Sequence, residues 1–379
     1  MFARSLLLCS LGLVAACGPS EEIFVGELTA PVIYGEDDRR EVFNHPSEDL
    51  RSIARSSIVA LIPTSRIDRD DATGKYQLRT TSLKAELMVS DELVLCDDEP
   101  FANQPVAASC SGVLISEDLV LTAGHCISEW RPCDSFRYVF NYFLDGPNEL
   151  AFIGDEDVYS CARVVLESDA PTNALTPDFA IIELDRPIAG AHAPVTIRPA
   201  IALSNGDPIS MIGFGSGLPA KIDSGAFIAD ARAAYGDYFV ANLDAFGGHS
   251  GSATFDEDGR LAGILLGGRV PDYAPSPGED CARPNAFDDS DAGEIVHNVA
   301  SIVSSLCDAG IGGNALCGTD ACDGSPCGVP STPSPAGGAG AIAAEGSGCS
   351  AATGVPEATV GWAILLLAFA VPGFRRRAV

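Results

Sequence analysis

Between residues 32 and 307 the chain alternates short apolar runs with clusters of turn-forming residues. "SSIVALI" (56–62), "SGVLISEDLVLTAG" (111–124), "FAIIEL" (179–184), "ISMIGFG" (209–215) and "RLAGILLGG" (260–268) are rich in β-branched residues and bounded by Gly, Asp and Pro. Runs of roughly five to eight such residues predict strands, and "SEDLV" and "DEDGR" predict hairpin turns between them. One stretch, "AGEIVHNVASIVSSLC" (292–307), sustains a helical period, with Ile295, Val299, Ile302, Val303 and Leu306 on one stripe. The pattern predicts a long all-β domain over 31–307, closed by one C-terminal helix.

The two ends differ from this body. "MFARSLLLCSLGLVAACGPS" has a positive charge at Arg4, a short apolar core and small residues before Cys17. This predicts a secretory signal over 1–17, because the apolar run is too short to span a membrane. "VAAC" resembles a lipobox, which implies lipid attachment at Cys17; the alternative is a plain signal peptide. A linker follows at 18–30. A segment rich in Gly, Pro, Ser and Cys at 308–348 reads as a stalk, braced among its own cysteines Cys317, Cys322 and Cys327. Residues 349–379 place Cys349, an apolar stretch and Arg375–Arg377 in that order. They resemble the MYXO-CTERM sorting signal; the alternative is a single-pass anchor. Both alternatives imply an exported body held at a membrane by its N-terminal lipid, its C-terminal segment or both.

Charge and cysteine content narrow the partners. With 23 basic and 52 acidic residues the net charge is −29, which would repel nucleic acid phosphates. No EF-hand spacing is present for calcium. Of thirteen cysteines, Cys9, Cys17 and Cys349 lie in the end segments, leaving ten with irregular spacing. An even, irregular set in an exported chain favours disulfides over metal ligation, so no metal and no cofactor are expected.

Three polar residues stand where apolar strands begin or end. His125 closes the run "LTAGHC", and Cys110, sixteen residues before Cys126, opens the same strand pair. A disulfide between them would fix the imidazole. A histidine at a strand end is more often structural, but the Ala-Gly-His-Cys turn favours a catalytic role. Asp178 enters "FAIIEL" directly after a proline. A carboxylate entering a buried strand needs a partner, and an imidazole N–H is suitable, although a turn-capping Asp is the equal alternative. Ser250 lies in "GGHSGS", where glycines permit a tight turn that presents backbone N–H groups; a glycine-rich hairpin is the alternative.

The order His, Asp, Ser and the blocks "SGVLISEDLVLTAGHC", "DFAIIEL" and "GGHSGSATF…GRLAGILLGG" resemble the three catalytic blocks of the chymotrypsin/trypsin-like serine peptidases. "VIYGEDDRREV" (32–42) and "GSGLPAKIDSGA" (215–226) further resemble the bacterial branch that includes the glutamyl endopeptidases. The resemblance implies two antiparallel β-barrels with a cleft between them. It implies His125 as general base, Asp178 as its orienting partner, Ser250 as nucleophile and the N–H groups of Gly248 and Ser250 as the oxyanion hole. It also implies a Cys110–Cys126 disulfide and a peptide or protein substrate. A non-catalytic surface-binding module on the same fold is the alternative, as is an esterase or amidase.

Two positions depart from the animal trypsins. The residue before the nucleophile is His249 rather than aspartate, so it cannot pair with a newly released N-terminal amine; activation through such a salt bridge is not expected. Asp244, six residues before Ser250, falls at the place of the pocket-floor anion, which implies a basic residue before the cut bond, with Gly268 on the pocket wall. Phe246 replaces the cysteine beside that pocket, and Leu265 stands in the strand where the glutamyl branch has histidine. His45, His192 and His297 lack supporting context and are expected at the surface or on a helix. Activity is expected to rise as the imidazole becomes neutral near its reference pKa of about 6.5.

Overall fold

The computed structural model describes residues 32–168, 177–199, 202–232, 237–267, 271–311 and 316–317. The expected signal segment with Cys17, Gly268, Cys322, Cys327 and the segment 349–379 lie outside the described residues. Among the described residues no helix is long and apolar enough to cross a membrane.

Two curled antiparallel half-barrels account for most of the strands, the chymotrypsin-like arrangement that the resemblance implies. The first sheet runs, in spatial order, Val158–Tyr159, Phe136–Val139, Ile58–Pro63, Cys110–Leu114, Leu119–Thr122, Phe179–Leu184 and Cys161–Ser168. Its central strands are dominated by apolar residues because both faces are covered. Ile58 to Ile62, Cys110 to Leu114 and Leu119 to Thr122 are buried at every position. The second sheet runs Ile228–Asp230, Tyr238–Ala241, Glu294–Asn298, Leu261–Gly267, Ala253–Phe255, Ser210–Gly213, Lys221–Asp223 and Arg40–Glu41. One apolar cluster takes Ile58, Val113 and Leu121 from the first sheet and Ile212, Phe255 and Ile264 from the second, so the halves share a core.

The periodic stretch 292–307 is not one helix. Glu294–Asn298 is a strand, paired on one side with Tyr238–Ala241 and on the other with Leu261–Gly267. The helix is Val299–Asp308, and Asn298 caps it by accepting the Ala300 N–H at 3.0 Å. A vacant position between two strands offers Ile295 and Val296 ladder bonds and burial, which outweighs a helical pattern. Two further helices carry no clear sequence signal. Glu48–Ser56 is started by Ser47, which accepts the Leu50 N–H, with Glu48 and Asp49 in its first turn. Leu83–Ser90 is started by Ser82 in the same way.

The three remaining histidines are buried, not superficial. His45 accepts the Ser47 N–H at 3.2 Å and shares a 3.0 Å contact with Ser224 Oγ. His192 pairs with Asp157 at 2.8 Å and stacks on Phe140. His297 lies in the last strand between Phe179 and Tyr238. Each is accommodated by a polar partner or a ring face, a pairing that the local sequence does not reveal.

Among the described residues four disulfides join Cys96–Cys281, Cys110–Cys126, Cys133–Cys161 and Cys307–Cys317. Cys317 therefore ties to the C-terminal helix rather than bracing the stalk against itself.

Candidate active site

His125, Asp178 and Ser250 converge from three separate elements. His125 sits on the one-turn helix Gly124–Cys126 that ends the strand Leu119–Thr122, and the Cys110–Cys126 disulfide anchors that turn. Asp178 immediately precedes the strand Phe179–Leu184, whose pairing with Leu119–Thr122 sets its distance from the turn. Its carboxylate accepts the backbone N–H of His125 at 2.9 Å through Oδ1 and meets His125 Nδ1 at 2.7 Å through Oδ2. On the far side of the ring, Nε2 lies 2.8 Å from Ser250 Oγ. A carboxylate only accepts, so Nδ1 carries the proton and Nε2 is left to accept from the serine hydroxyl.

Gly124 makes this approach possible. A Cβ there would lie 2.6 Å from the Ser168 carbonyl and 2.7 Å from Asp178 Oδ1. His297 meets the start of the same strand, through a hydrogen bond to the Asp178 backbone and an edge contact with Phe179. Burial pushes its pKa down to about 4, so it stays neutral there.

The loop that carries Ser250 is held by Ser111, at the start of the first half-barrel's Cys110–Leu114 strand. The Ser111 N–H donates to the Ser250 carbonyl at 2.8 Å, and its hydroxyl donates to the Gly248 carbonyl at 2.9 Å. Gly248 has a φ of +95°, and a Cβ there would lie 2.8 Å from the Phe214 carbonyl, so both conformation and space require glycine. Within this loop the His249 N–H donates to Phe246 and the Gly251 N–H to Leu265. The N–H groups of Gly248 and Ser250 find no acceptor among the described residues. Ser111 and His297 carry no signal in the sequence, because each acts through contacts more than a hundred residues away along the chain.

His249 points away from Ser250. It is 2% exposed, packs against Gly215, and accepts the Phe246 N–H through Nδ1 at 3.0 Å. Burial, reinforced by the cations Arg39 and Lys221, lowers its pKa to about 3. It is a neutral structural acceptor that cannot serve as a base for the serine.

Asp244 occupies a different place from the one the resemblance implied. It is 2% exposed, and its two oxygens accept the backbone N–H groups of Tyr34 at 3.0 Å and Asp38 at 2.8 Å. Its own N–H donates to Asp223 at 2.8 Å. Burial and the neighbouring Asp223 carboxylate push it well up from the usual carboxylate range. The segment Tyr34–Asp38 covers it, so its carboxylate is closed off from the surface. A different carboxylate reaches the loop that carries Ser250: Asp272, half-buried, accepts the Gly247 N–H at 2.7 Å.

Among the described residues, Cys96, Glu279 and Cys281 form a group with metal-ligand spacing. Its two sulfurs are joined to each other and Glu279 is engaged by Arg283 at 3.0 Å, so thiolate ligation is closed.

No curated protein matches the sequence. Among solved structures, a Glu endopeptidase in complex with MPD is similar over 73% of this chain and 98% of its own, at 16% identity and a TM-score of 0.43. Residues 110–264, which run from the strand that holds the Ser250 loop to the strand behind it, match the family model of the trypsin-like peptidase domain.

Proposed function

We propose that the chain is an exported serine endopeptidase that cleaves peptide bonds through an acyl-enzyme. The observation that carries this reading is the continuous contact from Asp178 Oδ2 through His125 to Ser250 Oγ, at 2.7 and 2.8 Å. The family match over residues 110–264 supports it.

In the first half-reaction Ser250 Oγ attacks the substrate carbonyl carbon while its proton passes to His125 Nε2. Asp178, already bonded to Nδ1–H, stabilises the imidazolium that forms. The carbonyl oxygen gains the negative charge and is met by the N–H groups of Gly248 and Ser250. Collapse of this intermediate breaks the C–N bond, and His125 returns the proton to the departing amine. Water repeats the sequence on the acyl-serine, releasing the acid and restoring the hydroxyl.

Export and tethering rest on the leader, the C-terminal segment and the four disulfides, which persist in oxidising compartments. Lipidation at Cys17 is part of this proposal, and release of a Cys17→Ser variant from membranes is its expected signature.

A fluorophosphonate probe tests the central claim. Labelling is expected at Ser250, with loss in Ser250→Ala and His125→Ala and retention in His249→Asn. A folded protein that takes no label would instead be a binding module on this fold.

A further inference from the structure

A cleft of about 570 Å³ opens beside the nucleophile loop, within the usual range of ligand pockets of about 300–1,000 Å³. Its floor includes Gly247, Gly248 and Ser216 from the second half-barrel. Its other wall includes Trp130, Arg131 and Phe136, on the segment that leaves the His125 turn. The departing amine must face His125 Nε2 to take its proton, so the wall that continues from His125 borders the leaving-group side of the scissile bond.

The rim of this cleft is unusual for so acidic a protein. Trp130 is 91% exposed, the largest such apolar surface among the described side chains. Arg131 is exposed, its guanidinium 5.1 Å from the centre of the Phe136 ring. Arg66, Arg69, Arg163 and Arg186 elsewhere on this half of the molecule each pair with an acid. Arg131 pairs with none among the described residues, although Glu129 and Asp134 are close in sequence and exposed. The turn that carries it is fixed in advance: Ser128 and Arg131 exchange two backbone bonds of 3.0 Å, and Ser128 Oγ accepts the Arg131 N–H at 3.1 Å. The Cys133–Cys161 disulfide braces the segment two residues further on. A guanidinium held this way, with a fork of donors turned to a cleft and no resident anion, suits a carboxylate arriving with the substrate.

We propose that this cleft receives the peptide segment after the cut bond and that Arg131 selects an acidic side chain within its first residues. Trp130 forms an apolar ledge beside it. The assignment rests on the serine endopeptidase reading and adds to it a preference on the leaving-group side.

The test uses the full exported chain and a C-terminally amidated peptide library, so that side chains supply every carboxylate. Fluorophosphonate labelling is measured first in the parent, Arg131→Ala and Arg131→Glu, and is expected to be equal in all three. Cleavage sites are then read by mass spectrometry. The parent is expected to favour Asp or Glu over Lys or Arg, by about tenfold, at one of the first three positions after the cut. Arg131→Ala is expected to abolish that bias and Arg131→Glu to invert it. Normal labelling and cleavage with a flat parent profile, or a bias unchanged in Arg131→Glu, overturns the Arg131 assignment alone. Absence of labelling or of any cleavage in the parent overturns the peptidase reading and this assignment with it.

Discussion

The Ser111 hydroxyl donates to the Gly248 carbonyl across the junction of the two half-barrels, at 2.9 Å, and it also accepts the Phe214 N–H at 3.0 Å. One buried side chain thus joins the strand Cys110–Leu114 to the loop that carries Ser250. Ser111→Ala removes both bonds and leaves the part-buried Gly248 carbonyl and the buried Phe214 N–H unpartnered. Such losses cost about 1–3 kcal/mol each in stability. The loop would also lose the contact that sets Gly248, so kcat is expected to fall by about tenfold to a hundredfold with KM little changed. Steady-state kinetics beside urea unfolding checks both parts. A variant that loses stability but keeps its kcat would show that Ser111 supports the fold without positioning the loop.

Gly124 and Asp178 are similarly interdependent. Because a methyl group on Gly124 would meet Asp178 Oδ1 at 2.7 Å and the Ser168 carbonyl at 2.6 Å, Gly124→Ala must displace one or the other. Displacing Asp178 releases His125 from its orienting bond, so the rate of Ser250 labelling is expected to fall by more than about tenfold. Labelling at the parent rate would mean that the strand Phe179–Leu184 shifts as a body and carries the carboxylate along.

The fold and the candidate site residues were legible because they depend on local pattern. Apolar runs of strand length, hairpin turns and the Ala-Gly-His-Cys turn each announce themselves within a few residues, and the order of His125, Asp178 and Ser250 supplied the rest. What the sequence concealed depends on distant contacts. The strand Glu294–Asn298 reads as the first turn of a helix until its neighbours Val240 and Leu265 are known. Asp244 matches a pocket residue in spacing, and only the path of Tyr34–Asp38 across it reveals its different role. Ser111 and His297 are ordinary residues in strands, given significance by what the fold places beside them.

Asp244 yields a prediction about selectivity. Since its carboxylate is sealed beneath the N-terminal segment, Asp244→Asn is expected to leave the ratio of cleavage after basic and other residues within about twofold of the parent. Its effect appears in stability instead. Burial and Asp223 raise the folded pKa of Asp244 above its unfolded value. The stabilisation from holding that proton is therefore complete below the unfolded pKa of about 3.9 and is lost as pH rises toward the folded one. Asparagine has no such dependence. The stability difference between parent and variant should thus move in favour of the Asp244→Asn protein as pH rises from about 4 through neutrality. A large, selective loss of cleavage after Arg and Lys would return Asp244 to the substrate pocket.

His249 gives the opposite slope. Its pKa falls from an unfolded value of about 6.5 to about 3 in the folded protein, chiefly through burial. The unfolded chain therefore binds a proton that the folded one refuses between those limits. The stability of the neutral, buried form is fully present above about pH 6.5 and drains away as pH falls toward 3, by at most about 1.4 kcal/mol per pH unit. His297, lowered to about 4, adds to the same limb. Asparagine at 249 keeps an acceptor for the Phe246 N–H but does not titrate, so His249→Asn should flatten the acid limb while leaving stability above neutrality nearly unchanged. Urea midpoints measured from about pH 4 to about pH 8 decide this. Parallel parent and variant curves would mean that the His249 side chain is hydrated in solution, and that its burial does not set the acid tolerance of the nucleophile loop.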